Sequence, residues 1–160
     1  VYFAPWCPNW KHDATFVQGL YDKYKTNGLE IIAVGEYDPV AAMKANLDSY
    51  KMTFPAVYES DNSGAREKTV HFAQRREAGD TRKWGSPWYV FLEPSLLENT
   101  GDVLARKVNL VNGELIRDDA DKFIRTKLGL AADTAKAAVS EKTKIEICEP
   151  EKNTANLKKP

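Results

Sequence analysis

Residues 3–11 read Phe3-Ala4-Pro5-Trp6-Cys7-Pro8-Asn9-Trp10-Lys11, and the placement of that cysteine decides how the rest of the chain is read. Val1-Tyr2-Phe3 has the character of the end of a β-strand. After Cys7, apolar side chains fall at Trp10, Ala14, Val17, Tyr21 and Tyr24, the spacing of one face of an α-helix. Pro8 suits the first helical turn, and Asn27-Gly28 is a stop signal. Cys7 therefore stands between a strand end and a helix start, where unpaired backbone N–H groups and the helix dipole favour negative charge. Such a position lowers a thiol pKa from about 8.5 toward neutrality or below and makes the thiolate a populated nucleophile.

Working outward, residues 29–34, "LEIIAV", are short and apolar, as a central parallel strand covered on both faces should be. Asp38-Pro39 opens a helix with Met43, Leu47 and Tyr50 on one side, and residues 54–58 return as a strand. Residues 60–64 form a polar loop and 65–78 have helical composition. Gly85-Ser86-Pro87 breaks the chain before the bulky strand 88–92. A turn at 98–102 leads to an alternating strand at 103–108, and a last helix at about 118–128 stops at Gly129. Strands alternating with helices and then a hairpin give an α/β fold with a mixed sheet between helices. Residues 1–130 read as one domain, and 131–160 as an extension that is partly helical and then polar.

Other classes are set aside on composition. Lys plus Arg and Asp plus Glu balance at 23 each, so no net field gathers nucleic acid. No apolar run reaches the length of a membrane helix. Two cysteines, Cys7 and Cys148, are too few for a disulfide framework or a structural zinc site. Cys7 and His12 offer two metal ligands at a spacing wrong for one helix face, so no metal is expected, and His12 and His71 both read as solvated residues. Because the chain opens inside a strand, an upstream leader and first strand are expected to be absent from this sequence.

"FAPWCPNWK" resembles the active-site segment of the thioredoxin-like superfamily, in which a strand delivers W-C-x-x-C-K to a helix N-terminus. Phe3, Pro5, Trp6, Cys7 and Lys11 are in register, and Trp10 replaces the second cysteine. Ser86-Pro87 ahead of "WYVFL" resembles the family's cis-proline. The inserted helix and strand at about 38–58, with "GLEIIAVGE" and "YKMTFPAV", is most similar to the TlpA-like and redoxin branch, related to the AhpC/TSA proteins. The resemblance covers about residues 1–129. It implies Cys7 as nucleophile toward a protein or small-molecule thiol or disulfide, with Trp6, Trp10, Ser86 and Pro87 forming the binding platform. It implies no cofactor, and an extracytoplasmic location. Glu36 stands where TlpA-like proteins carry a carboxylate near the cysteine pair, and it reads either as a proton-transfer group or as a solvated strand-end residue.

The leading expectation is a monothiol oxidoreductase that forms a mixed disulfide at Cys7. Tryptophan cannot attack a disulfide, so release falls to an outside thiol or to Cys148, the candidate resolving thiol. Cys148 also reads as a half-buried residue without chemistry, just as Trp10 reads as the first residue of the buried helix face. A second class is a redox-inactive module that binds a peptide in the same groove. A third is a thiol peroxidase. It lacks its usual parts, since Ala4 stands where peroxiredoxins have Ser or Thr, and Pro87 where they have arginine, although Arg82 and Lys83 are close in sequence.

Overall fold

The computed structural model describes residues 1–101 and 104–130. Along the chain run β1 (Tyr2–Phe3), α1 (Pro8–Tyr24), β2 (Ala33–Gly35), α2 (Val40–Ser49), β3 (Ala56–Tyr58), α3 (Val70–Glu77), β4 (Trp88–Phe91), β5 (Asn109–Asn112) and α4 (Arg117–Lys127). They make a five-stranded sheet in the order β3-β2-β1-β4-β5. β1, β2 and β3 are mutually parallel, and β4 lies antiparallel to both β1 and β5. This is the mixed sheet of the expected thioredoxin-like fold, with α2 and β3 as the inserted helix and strand.

Two parallel crossovers that step in the same direction place their helices on the same face of a sheet. α1 and α2 accordingly lie together, bridged by the Trp10 Nε1–H donating to Asn46 Oδ1 at 2.8 Å. α4 joins them, with Tyr24 Oη donating to Asp121 Oδ1 at 2.7 Å. The core of this layer is Phe3, Trp10, Ala14, Val17, Leu20 and Met43. Asp13, fully enclosed, accepts from Tyr89 Oη at 2.7 Å and from the Leu115 N–H at 2.8 Å. That carboxylate ties α1 to β4 and to the approach to α4. The opposite face carries α3, whose His71 stacks on Tyr2 with ring centroids 4.7 Å apart.

Several boundaries differ from the sequence reading. β2 is three residues rather than six, and Ile32 is 56 % exposed, so that strand is central and parallel but not covered on both faces. Its ladder extends only as far as residues 1–3 and 55–58 offer partners. Residues 63–68 form 3-10 turns, and α3 begins only at Val70, where the Thr69 hydroxyl caps the Phe72 N–H. The last strand is 109–112, not 103–108. The asparagines at both its ends and Gly113 after it look like turn residues, which hid it. The C-terminal extension expected at 131–160 lies outside the described residues.

Gly35 permits the close seating of α2 on the sheet. A Cβ there would lie 2.4 Å from Met43 Sδ and 2.8 Å from the Tyr58 ring. Gly35→Ala is therefore expected to cost about 1–3 kcal/mol as an overpacked core, read as a lower urea midpoint with an unchanged slope.

Candidate active site around Cys7

Cys7 is the N-cap residue of α1, with extended backbone (φ −71°, ψ 121°) and Pro8 as the first helical residue. Its carbonyl receives the Lys11 N–H at 3.1 Å, and its own N–H donates to the Ala4 carbonyl at 3.0 Å. The sulfur therefore sits at the positive end of a 17-residue helix that has no acidic residue in its first turn. Cys7 is disulfide-bonded and fully buried. The chain's other cysteine, Cys148, lies outside the described residues.

Ser86 meets this segment twice. Its hydroxyl accepts the Ala4 N–H at 2.9 Å, and its carbonyl oxygen lies 3.0 Å from Cys7 Sγ. The Ser86-Pro87 peptide bond is cis. The Pro87 carbonyl is taken by the Gly113 N–H at 3.0 Å. Trp6 is half-buried and packs edge to face on Trp84 with centroids 5.3 Å apart. Trp84 is buried, with Arg66 and Lys83 near its ring at 5.1 and 5.2 Å. Cys7, Trp6, Ser86 and Pro87 are thus brought together.

Trp10 does not join them. It is fully buried against Phe3, centroids 4.9 Å apart, with its N–H spent on Asn46. A substrate on the surface cannot reach that ring, so the expectation of a binding contact there gives way to that of a core residue.

Glu36 follows β2 directly, its N–H donating to the Phe3 carbonyl at 2.9 Å. The solvated reading fails, because the side chain is fully buried. Burial first, with charge repulsion from Glu59 adding to it, pushes its carboxyl up to about 10, so it is neutral at pH 7. Glu59 holds the start of α3 by accepting the N–H groups of Val70 and His71, the latter at 3.2 Å. His71 is likewise not solvated. It is fully buried, shares a 2.8 Å hydrogen bond with Tyr37 Oη, and is pulled down to about 3 mainly by burial, with Arg75 adding to the effect. His12 is the solvated histidine that was expected, 44 % exposed at the side chain. Among the described residues no three His, Cys, Asp or Glu side chains gather as a metal site.

The sequence reading passed over Arg75 and Asp80, both buried and paired at 2.9 Å. An arginine in a charged helix gives no sign that it points inward.

No protein-family model matches the chain. Over 60 residues it is 32 % identical to the thiol-disulfide oxidoreductase ResA of Oceanobacillus iheyensis, a stretch that is 38 % of this chain and 31 % of that protein. It is 31 % identical over 58 residues to ResA of Halalkalibacterium halodurans, covering 36 % of this chain and 33 % of that one. The matched stretch is thus about a third of the length of these relatives. Among solved structures, MTB DsbF superposes with a TM-score of 0.54 at 20 % identity, over 79 % of this chain and 76 % of that one. A secreted Mycobacterium tuberculosis disulfide oxidoreductase homologous to E. coli DsbE gives 0.50 at 17 % identity, over 80 % and 76 %. Both structural likenesses speak to the fold.

The buried Glu36 carboxyl makes stability depend on pH in a defined direction. In the unfolded chain it ionises near 4.5, whereas in the fold it keeps its proton up to about 10. Its contribution is complete below 4.5 and is lost progressively as pH rises through that window. Glu36→Gln is expected to gain on the parent as pH rises from 5 to 8, by at most about 1.4 kcal/mol per unit. Urea unfolding at three pH values checks this, and parallel curves would contradict it.

Proposed function

We propose that this chain, which has a thioredoxin-like fold and resembles ResA proteins over part of its length, is a thiol-disulfide oxidoreductase working through a mixed disulfide at Cys7. The observation that carries the reading is the sulfur at the N-cap of α1, 3.0 Å from the carbonyl of Ser86, the residue before a cis-proline. In the reduced protein the Cys7 thiolate attacks one sulfur of a substrate disulfide. A Cys7–substrate S–S bond forms as the substrate bond breaks, and the departing thiolate takes a proton. Trp6 offers an apolar contact beside the sulfur. Ser86 and Pro87 are buried beside the sulfur and form the floor of the site, holding the Cys7 segment in place.

Trp10 cannot complete the cycle, so a second thiolate must attack Cys7 Sγ or the substrate sulfur. We assign this to Cys148. Support comes from Cys7 being disulfide-bonded in a chain that has a single other cysteine. Attack by Cys148 on Cys7 Sγ releases substrate as a thiol and leaves an oxidised pair, which an external dithiol reduces with two electrons. An external monothiol is the other route of release. Cys7 is enclosed while oxidised, so reduction precedes each attack. The peroxidase reading is not favoured, since Ala4 and Pro87 leave peroxide without its usual hydrogen-bond donors, and the relatives matched over part of the chain are named for thiol-disulfide exchange. An extracytoplasmic location fits a chemistry that needs disulfides as substrates. One structural neighbour is described as secreted, and no helix among the described residues is long and apolar enough to cross a membrane.

The test is reduction of a disulfide peptide by the dithiol-reduced full chain. Cys7→Ser is expected to abolish exchange. Cys148→Ser is expected to slow release at least tenfold and to accumulate the Cys7–peptide adduct, visible by mass spectrometry. Undiminished turnover by Cys148→Ser assigns release to an external thiol, and exchange that survives Cys7→Ser overturns the whole reading.

A further inference from the structure

We propose that Arg75 of α3 is a positioning residue for Cys7, clamping the loop at 80–85 so that the Ser86 carbonyl is held against the sulfur. This rests on Cys7 being the reactive group of the proposed function. The Arg75 side chain is fully buried and turned into that loop. Nε donates to Asp80 Oδ2 at 2.9 Å, one terminal nitrogen donates to the Trp84 carbonyl at 2.7 Å, and the other to the Arg82 carbonyl. All three nitrogens are thus spent on one short segment, and two of the bonds go to its backbone. Asp80 completes the clamp by accepting from the Arg82 N–H at 3.0 Å and from its guanidinium at 2.8 Å. Burial opposes ionisation of Asp80, but the hydrogen bonds from Arg82 and Arg75 outweigh it and hold the carboxyl well below the usual range.

The loop fits around the guanidinium without slack. Gly85 adopts φ +61°, and a Cβ there would fall 1.9 Å from Arg75 Nε. The next residue is Ser86. The other end of the clamp is equally fixed. α3 is capped by Thr69, and its His71 stacks on Tyr2 of β1, the strand that leads into the Cys7 segment. Loop and cysteine therefore hang from one frame, and the planar guanidinium sets the distance between them.

A buried ion pair adds little net stability over a well-packed apolar pair, because desolvation offsets the attraction. What a rigid, forked donor supplies is geometry. The geometry matters to the sulfur because the Ser86 carbonyl lies 3.0 Å from the oxidised Sγ, where on reduction it would take the S–H of Cys7 and favour thiol over thiolate. Loosening the loop weakens that bond and releases the thiolate at lower pH. The charged or titratable groups facing Arg75 are Asp80 and Arg82 from the loop, His71 from its own helix and Tyr37 from the segment after β2.

The experiment uses the reduced full chain, with alkylation of Cys7 by iodoacetamide followed from pH 5 to 10 and located by mass spectrometry. Arg75→Lys keeps the charge but cannot reach all three partners, and the near-isosteric Asp80→Asn removes the carboxylate from the clamp. Circular dichroism and urea unfolding establish that each variant is folded, with Lys23→Ala as a surface control. The alkylation midpoint is expected to fall in both folded variants, most in Arg75→Lys, with at least about a threefold faster reaction below the midpoint. A profile superimposable on the parent in either folded variant, or an upward shift, overturns the proposal. A parent that alkylates normally yet exchanges with no disulfide defeats the proposed function while leaving this coupling measurable.

Discussion

One serine joins the two segments that make this site. Ser86 takes the Ala4 N–H on its hydroxyl and presents its carbonyl to the Cys7 sulfur, across sequence separations of 82 and 79 residues. Both contacts require β1 to lie between β2 and β4, so that a parallel crossover and an antiparallel return end at the same point. They also keep the backbone past β1 satisfied. A buried N–H left without an acceptor at Ala4 would cost about 1–3 kcal/mol. The topology of the whole sheet is thus answerable to a contact between two short, irregular segments.

Trp10 shows how losing a chemical group can be a gain for the framework. At the position where a dithiol motif would carry its second sulfur, an indole fills the space above Phe3 and reaches across to Asn46 on α2. The helix bearing the cysteine is thereby fastened to the inserted helix. The same side chain that removes a resolving thiol stiffens the base on which the remaining one stands.

How much of this was legible follows from what each signal depends on. The cysteine at a helix cap, the order of parallel strands, the inserted α2 and the serine-proline bend are local patterns, written in spacing and turn residues, and they hold. β5 was misplaced because Asn109, Asn112 and Gly113 look like turn residues, while its pairing partner β4 overrides that preference. The α3 face was illegible for a different reason. Arg75 and Asp80 are polar residues in polar surroundings of sequence, Glu36 and His71 are single polar residues beside apolar ones, and only tertiary packing turns all four inward. Trp10 was read both as a groove residue and as a core residue, and periodicity alone could not choose, since the first helical turn is near the surface in either case.

The buried layer between β1 and α3 has one more property. It holds an acid that keeps its proton to about 10 and a base that refuses one down to about 3. When the chain unfolds, Glu36 gives a proton up above its ordinary 4.5, and His71 takes one below its ordinary 6.5. Between those two values the release and the uptake balance, so this pair exchanges no net proton with solvent. Its share of the unfolding heat in that interval is therefore independent of the ionisation enthalpy of the buffer, while at neutral and alkaline pH the same layer makes the heat buffer-dependent.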